Sequence, residues 1–127
     1  MFGDKMLIGQ YEVTVSKNSR IVMPSKTNCE ENDHLILIYD DILDCYSIYS
    51  KITFEEKFKN LDNMVFSAKT EREFRLRKLI FYNFCKNMLC ECIVDKQRRI
   101  NLKSNFMPAE KLLLIGANDH LILERKK

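Results

Sequence analysis

Two short segments put arginine at the same point of the same pattern. Val13-Thr14-Val15-Ser16-Lys17-Asn18-Ser19-Arg20-Ile21-Val22-Met23 is echoed by Cys92-Ile93-Val94-Asp95-Lys96-Gln97-Arg98-Arg99-Ile100-Asn101-Leu102. Each reads as strand, polar turn ending in arginine, strand. A two-stranded β-ribbon fits the DNA major groove, and an arginine fork can bond both O6 and N7 of guanine. Arg20 and Arg99 are therefore the candidate base readers, with Lys17, Lys96 and Arg98 supplying charge for flanking phosphates. Asp95 opens the second turn, where its carboxylate can accept backbone N–H groups and hold the loop in shape. Asn18 is the best candidate for a positive φ in the first turn. The same residue types also make an ordinary solvated hairpin tip; recurrence in register is what favours binding.

Other chemistry finds little support. The chain has no Ser/His/acid or Cys/His constellation and no phosphate-binding glycine loop, and it holds only three glycines. It is expected not to be an enzyme and to need no cofactor or metal. Five cysteines, an odd number, give no regular disulfide framework. Cys90 and Cys92 alternate on an expected strand and so share one side. Thiolate zinc sites use paired Cys-x₂₋₄-Cys motifs, and no second pair accompanies this one, so buried apolar thiols are the simpler account. His34 and His120 beside acidic neighbours read as polar edge positions.

The elements that position the two turns follow from periodicity. Tyr11, Val13 and Val15 alternate with polar residues as in a half-buried strand; Ile21 and Met23 resume on one face until Pro24. Leu35–Ile38 and Cys45–Tyr49 are further strands, with Asp40, Asp41 and Asp44 between them. In the second half Leu112–Ile115 and then Leu121–Glu124 take the corresponding places. Between the halves, Thr53 with Glu56 and Thr70 with Glu73 form capping boxes. Phe54, Phe58, Leu61 and Val65 make one apolar stripe; Leu76, Ile80 and Phe84 line a flank of the second helix, with Phe81 and Met88 beside them. Glu71, Arg75, Lys78, Tyr82 and Lys86 share its other side, expected to be solvated. Asn63–Lys69 is the break, and the tail Glu124–Lys127 is expected to fray. The reading is mainly β with α: a unit over residues 7–50, a helical hairpin connector over 51–89 and a second unit over 90–125. Neither unit is large enough to bury a core alone, so the two fold against one another.

At 127 residues and 46% apolar content the chain suits one compact domain. Its net charge of +3 is unevenly spread: residues 1–50 are acidic, whereas 51–89 and 90–127 are basic. Such clustering points to a polyanion more than the sum does. No apolar run is long enough to span a bilayer, and no secretory leader precedes the first strand, so no membrane partner and a cytoplasmic location are expected.

At the arginine turns the chain resembles the MraZ family of bacterial transcriptional regulators, whose members carry two tandem AbrB-like units. Each unit has an Asp-x-x-x-Arg signature in a segment of the type Asp-x-x-Gly-Arg-apolar-x-apolar-Pro. Ser19-Arg20-Ile21-Val22-Met23-Pro24 resembles the first core, Asp95 to Leu102 the second, and Ile115-Gly116-x-Asn118 the end of the second unit. Ser16 stands where the first aspartate belongs, and Ser19 and Arg98 replace the turn glycines. Ser104 falls near the second proline, and the chain stops soon after its last strand. Loss of both glycines leads one to expect a changed turn, since left-handed φ is costly for serine or arginine. The resemblance implies swapped-hairpin units, a ring-shaped homo-oligomer, nucleoid association and repression through short G-rich direct repeats in double-stranded promoter DNA. In that reading Arg20 and Arg99 read bases, and Asp95 and Ser16 order the turns. The alternatives are a diverged oligomeric interaction protein that has lost DNA binding, and an AbrB-type antitoxin.

Overall fold

The computed structural model describes residues 2, 6–40, 43–103 and 106–126. Asp41, Ser104, Lys127 and the Met88 side chain, all named above, lie outside the described residues. Strands β1 (Gln10–Thr14), β2 (Arg20–Val22), β3 (His34–Asp40) and β4 (Cys45–Ser50) come first. A hairpin of helices α1 (Lys51–Phe66) and α2 (Glu71–Lys86) follows, then β5 (Met88–Ile93), β6 (Arg99–Asn101), β7 (Lys111–Gly116) and β8 (His120–Arg125). The chain is mainly β, with a helical hairpin at its centre.

Strand pairing crosses between the two halves. A six-stranded antiparallel sheet runs in the order β1-β7-β8-β4-β3-β5, and β2 pairs with β6 in a separate two-stranded ribbon. Thus β1 does not ladder with β2, which follows it directly, but with β7, while β5 ladders with β3. The order is unchanged when each first-half strand is exchanged for its second-half counterpart. The arginine-bearing strands are accordingly partners in one ribbon, not the arms of two independent ribbons.

The period-two pattern explains what each sheet face buries. Leu112, Leu114, Leu121 and Leu123 are fully buried, and Leu35, Leu37 and Ile48 are 1% exposed. They form one core with Val15, Ile21, Met23, Val94, Ile100 and Leu102 from the turns and the ribbon. The opposite face of β3 and β4 offers Ile36, Ile38 and Tyr49 to Phe54 and Phe84 of the helical hairpin. The molecule is therefore layered, with the ribbon on one side of the sheet and the helices on the other.

The hairpin departs from expectation at two points. Helix α1 is capped by Ser50, whose hydroxyl accepts the Thr53 N–H at 3.1 Å, so Thr53 lies within the first turn rather than capping it. Ser50 is itself the last residue of β4, so the cap is a strand-to-helix corner that a local motif search passes over. At α2, Thr70 does cap, accepting from Glu73 N at 3.1 Å, while the Glu73 carboxylate takes the Lys69 N–H. Phe54 stacks on Phe84 at 5.3 Å and Phe58 tilts against Phe81 at 5.1 Å. Leu76 and Ile80, however, are not buried: they are 59% and 48% exposed, although Ile80 borders a groove with Ile38, Tyr49 and Phe84, and Phe66 is 77% exposed. The last strand also persists beyond the expected fray, since β8 reaches Arg125 and Lys126 pairs with Glu12 at 2.7 Å.

The pairing of Ile21 with Ile100, each 1% exposed, is the contact that seats the ribbon on the sheet. Ile100→Ala should cost about 2–4 kcal/mol, because a cavity opens beneath strands too short to collapse into it. Chemical denaturation of the variant beside the parent measures this.

Candidate nucleic-acid interface

The two turns are built bond for bond alike. In the first, Ser16 N donates to Arg20 O at 2.8 Å and Ser19 N to Ser16 O at 3.1 Å. In the second, Asp95 N donates to Arg99 O and Arg98 N to Asp95 O, each at 3.1 Å. The residue before each arginine is left-handed, with φ 59° at both Ser19 and Arg98. This is the three-residue hairpin loop in which the last position takes positive φ. The expectation of a changed geometry is therefore overturned, as is the assignment of positive φ to Asn18. The backbone adopts the glycine conformation without glycine because its flanking hydrogen bonds fix the loop, and the steric cost of about 1–2 kcal/mol is absorbed.

The side chains that open the turns differ in charge. Ser16 Oγ accepts the Arg20 N–H at 3.1 Å and nothing more of the turn. Asp95 does more: Oδ1 accepts Gln97 N at 2.9 Å and Arg99 N at 2.8 Å, and Oδ2 accepts Arg99 Nε at 2.9 Å. The backbone N–H of Arg99, then its side chain and the Gln97 N–H, hold the Asp95 carboxyl below its ordinary value of 3.8. Because Nε is the atom engaged, the two terminal nitrogens of Arg99 remain available. Arg20 makes no ion pair among the described residues.

Register gathers these residues on one surface. Arg20 lies opposite Asn101, Ile21 opposite Ile100, and Val22 opposite Arg99. Alternation sends Ile21 and Ile100 into the core, so Arg20, Val22, Arg99 and Asn101 emerge together on the outer face. Val22 is 57% exposed there. Lys17 and Asn18 in one turn, with Lys96 and Arg98 in the other, are exposed at opposite ends of this face. Sequence reasoning found the arginines but missed Val22 and Asn101, because their membership depends on β2 pairing with β6. The basic side of α2 is on a different layer, and its charges are locally engaged: Arg75 pairs with Glu71 at 2.6 Å, Lys78 lies over Phe74 and Lys86 over Tyr82. Among the described residues no cluster of three or more His, Cys, Asp or Glu could hold a metal ion, and no helix is long and apolar enough to cross a membrane.

The asymmetry between the turns has a pH signature. A depressed carboxyl contributes stability that is complete above its ordinary value and lost as pH falls through its folded value. The thermal midpoint of Asp95→Asn should therefore lie below that of the parent at neutral pH, and the gap should close as pH drops below 3.8. Melting curves across that range test it. Separately, Ser19→Gly should raise stability by about 0.5–1 kcal/mol, since glycine relieves the left-handed strain.

No family model matches the chain. Individual relatives do. It is 35% identical over 102 residues to "Transcriptional regulator MraZ" of Caldicellulosiruptor bescii, a match covering 79% of this chain and 64% of that protein. It is 30% identical over 109 residues to the protein of the same name from Thermoanaerobacter pseudethanolicus, covering 84% and 69%. The Limosilactobacillus fermentum protein of that name is 27% identical over 121 residues, covering 91% and 78%. The chain thus spans about two thirds of the length of several curated relatives, and somewhat less of the first. At 30% identity or more over 84% of its own length and 69% of the relative's, the chain belongs to the MraZ family.

Proposed function

We propose that this chain is a DNA-binding transcriptional regulator, acting as a repressor, that reads short G-rich direct repeats through the outer face of the β2–β6 ribbon. The observation that carries the reading is that Arg20 and Arg99 emerge on one solvent-facing surface above the buried Ile21–Ile100 pair. They are offset by two residues along the ribbon, or ~7 Å, about two base steps. Arg20 and Arg99 contact guanine, Lys17, Lys96 and Arg98 contact phosphates, and Ser16 and Asp95 order the loops. In this reading two AbrB-like units, residues 7–50 and 90–125, share the helical connector 51–89, and the protein works at the nucleoid. Arg99, pinned through Nε, is the better-organised reader.

A homo-oligomeric ring presenting several ribbons in one direction completes the reading. It is supported by the apolar surface of the helical hairpin, where Phe66, Leu76 and Leu79 are 77%, 59% and 55% exposed. That same surface is what favours the second reading, an interaction protein with no DNA site. Size exclusion coupled to light scattering should give a closed oligomer at micromolar concentration. A monomer would remove the multivalency on which affinity for repeats depends.

Selection of bound fragments from random duplexes, followed by titration of variants on the selected and a scrambled duplex, tests DNA reading. Arg99→Ala should cost about 1–3 kcal/mol for each guanine that the arginine no longer bonds and should relax preference, with Arg20→Ala costing less. Lys17→Ala should weaken both duplexes alike and flatten the salt dependence. Ser16→Asp should tighten specific binding, because the first turn already has the geometry in which Asp95 engages its arginine. Arginine variants indistinguishable from the parent on both duplexes would transfer the chain to the interaction-protein reading.

A further inference from the structure

Cys90 and Cys92 stand side by side on β5 with their Sγ atoms 3.7 Å apart. Cys92 is 3% exposed, and its thiol donates to the Asn101 carbonyl at 3.1 Å; Cys90 is half-buried and so within reach of small solutes. No other two cysteines of the described residues are in contact. Two further features give this pair a setting. Strand β5 is the edge of the sheet, and its register slips: Leu37 faces Cys90 while Ile38 faces Met88, so one residue of β5 is left without an opposite. A bulge on an edge strand supplies backbone slack next to Cys90. The Asn101 carbonyl, in turn, belongs to β6, where Asn101 lies opposite Arg20.

We propose that Cys90 and Cys92 form a reversible oxidative modification site, in which a peroxide converts the dithiol to an intrachain disulfide and thereby loosens the arginine ribbon. The accessible Cys90 sulfur attacks the peroxide: the O–O bond breaks, one oxygen stays as the sulfenic acid, and the other leaves as water. The Cys92 sulfur then displaces that hydroxyl. The S–S bond forms, the S–O bond breaks, and the Cys92 proton departs with the hydroxyl as a second water. Two thiols thus give two electrons and two protons to one peroxide. The order of steps follows from burial, which with the adjacent Cys90 pushes the Cys92 thiol up to about 12 and keeps it protonated until the sulfenic acid is beside it. In the disulfide, Cys92 has no S–H to give Asn101, and its sulfur is drawn toward Cys90. Strand β6 loses one hydrogen bond to the sheet edge at the position opposite Arg20. The effect on DNA rests on the function proposed above; the disulfide and the loosened ribbon do not.

The test treats the reduced 127-residue chain and its Cys90→Ser variant with one equivalent of hydrogen peroxide. Peptides are mapped without reduction, and amide exchange is followed across β2 and β6. The expected result is a Cys90–Cys92 peptide lighter by two hydrogens, exchange in the ribbon faster by roughly threefold or more, and reversal by dithiothreitol. Cys90→Ser should show no such change. Sulfinic acid at Cys90, mixed disulfides through the exposed Cys85, or a disulfide that leaves ribbon exchange unchanged would each overturn the proposal. Duplex binding is measured in parallel: affinity should fall with oxidation and return with reductant. Unchanged affinity in a reduced protein that does bind DNA overturns the regulatory link. A reduced protein that binds no duplex counts against the DNA reading, and ribbon exchange still decides the site.

Discussion

The exchange of strands between the two halves is the constraint from which the other features follow. Strand β2 has three residues, too few to persist without a partner, and β6 is its equal in length. Each finds in the other the ladder it lacks, and together they cover the core with Ile21 and Ile100. Once those isoleucines are committed inward, alternation leaves no choice about Arg20 and Arg99. Their exposure is a corollary of the core, and a slip of one register position would bury both charges and expose both isoleucines. The outer surface is therefore as strongly specified as the hydrophobic layer below it.

The two loops differ in how they hold an arginine over the same backbone. The first relies on a hydroxyl that satisfies one amide and, among the described residues, forms no bond to the guanidinium of its arginine. The second uses a carboxylate that satisfies two amides and a guanidinium nitrogen together, so its arginine has less conformational entropy to lose on meeting a ligand. That both loops nonetheless adopt the same left-handed step, at a serine and at an arginine, shows that the backbone bonds dominate. Both loops hold the conformation that glycine adopts most easily, and neither uses a glycine to do so.

Much of this was legible in the residues. The arginines in register, the alternation through Val13, Val15, Ile21 and Met23, and the second capping box all describe local physics, and local physics decided them. The positions that were not legible are those settled by distant partners. Which strand β2 would meet depends on residues some eighty positions away. Positive φ fell at Ser19 and not at Asn18 because the loop's hydrogen bonds, rather than side-chain preference, place it. Ser50 displaced Thr53 as the cap because β4 runs straight into α1. Leu76 and Ile80 have the spacing of a core stripe, yet both keep about half of their surface in solvent, and periodicity alone does not distinguish a core from an unfilled interface.

The pairing of Gln10 with Ile115 carries a consequence for how the molecule is made. On a ribosome the first strand emerges long before the seventh has been translated, and the third must wait for the fifth. Until then β1, β2 and one side of β3 present unsatisfied amides and apolar side chains together. Native contacts of such long sequence separation slow closure, and half-made chains with open strand edges are prone to join the wrong neighbour. A second nascent chain on the same message offers the same complementary strands. Synthesis in close ranks would therefore place exchange within a chain in competition with exchange between chains, and the length of the helical connector, which sets the local concentration of one half about the other, would decide the winner.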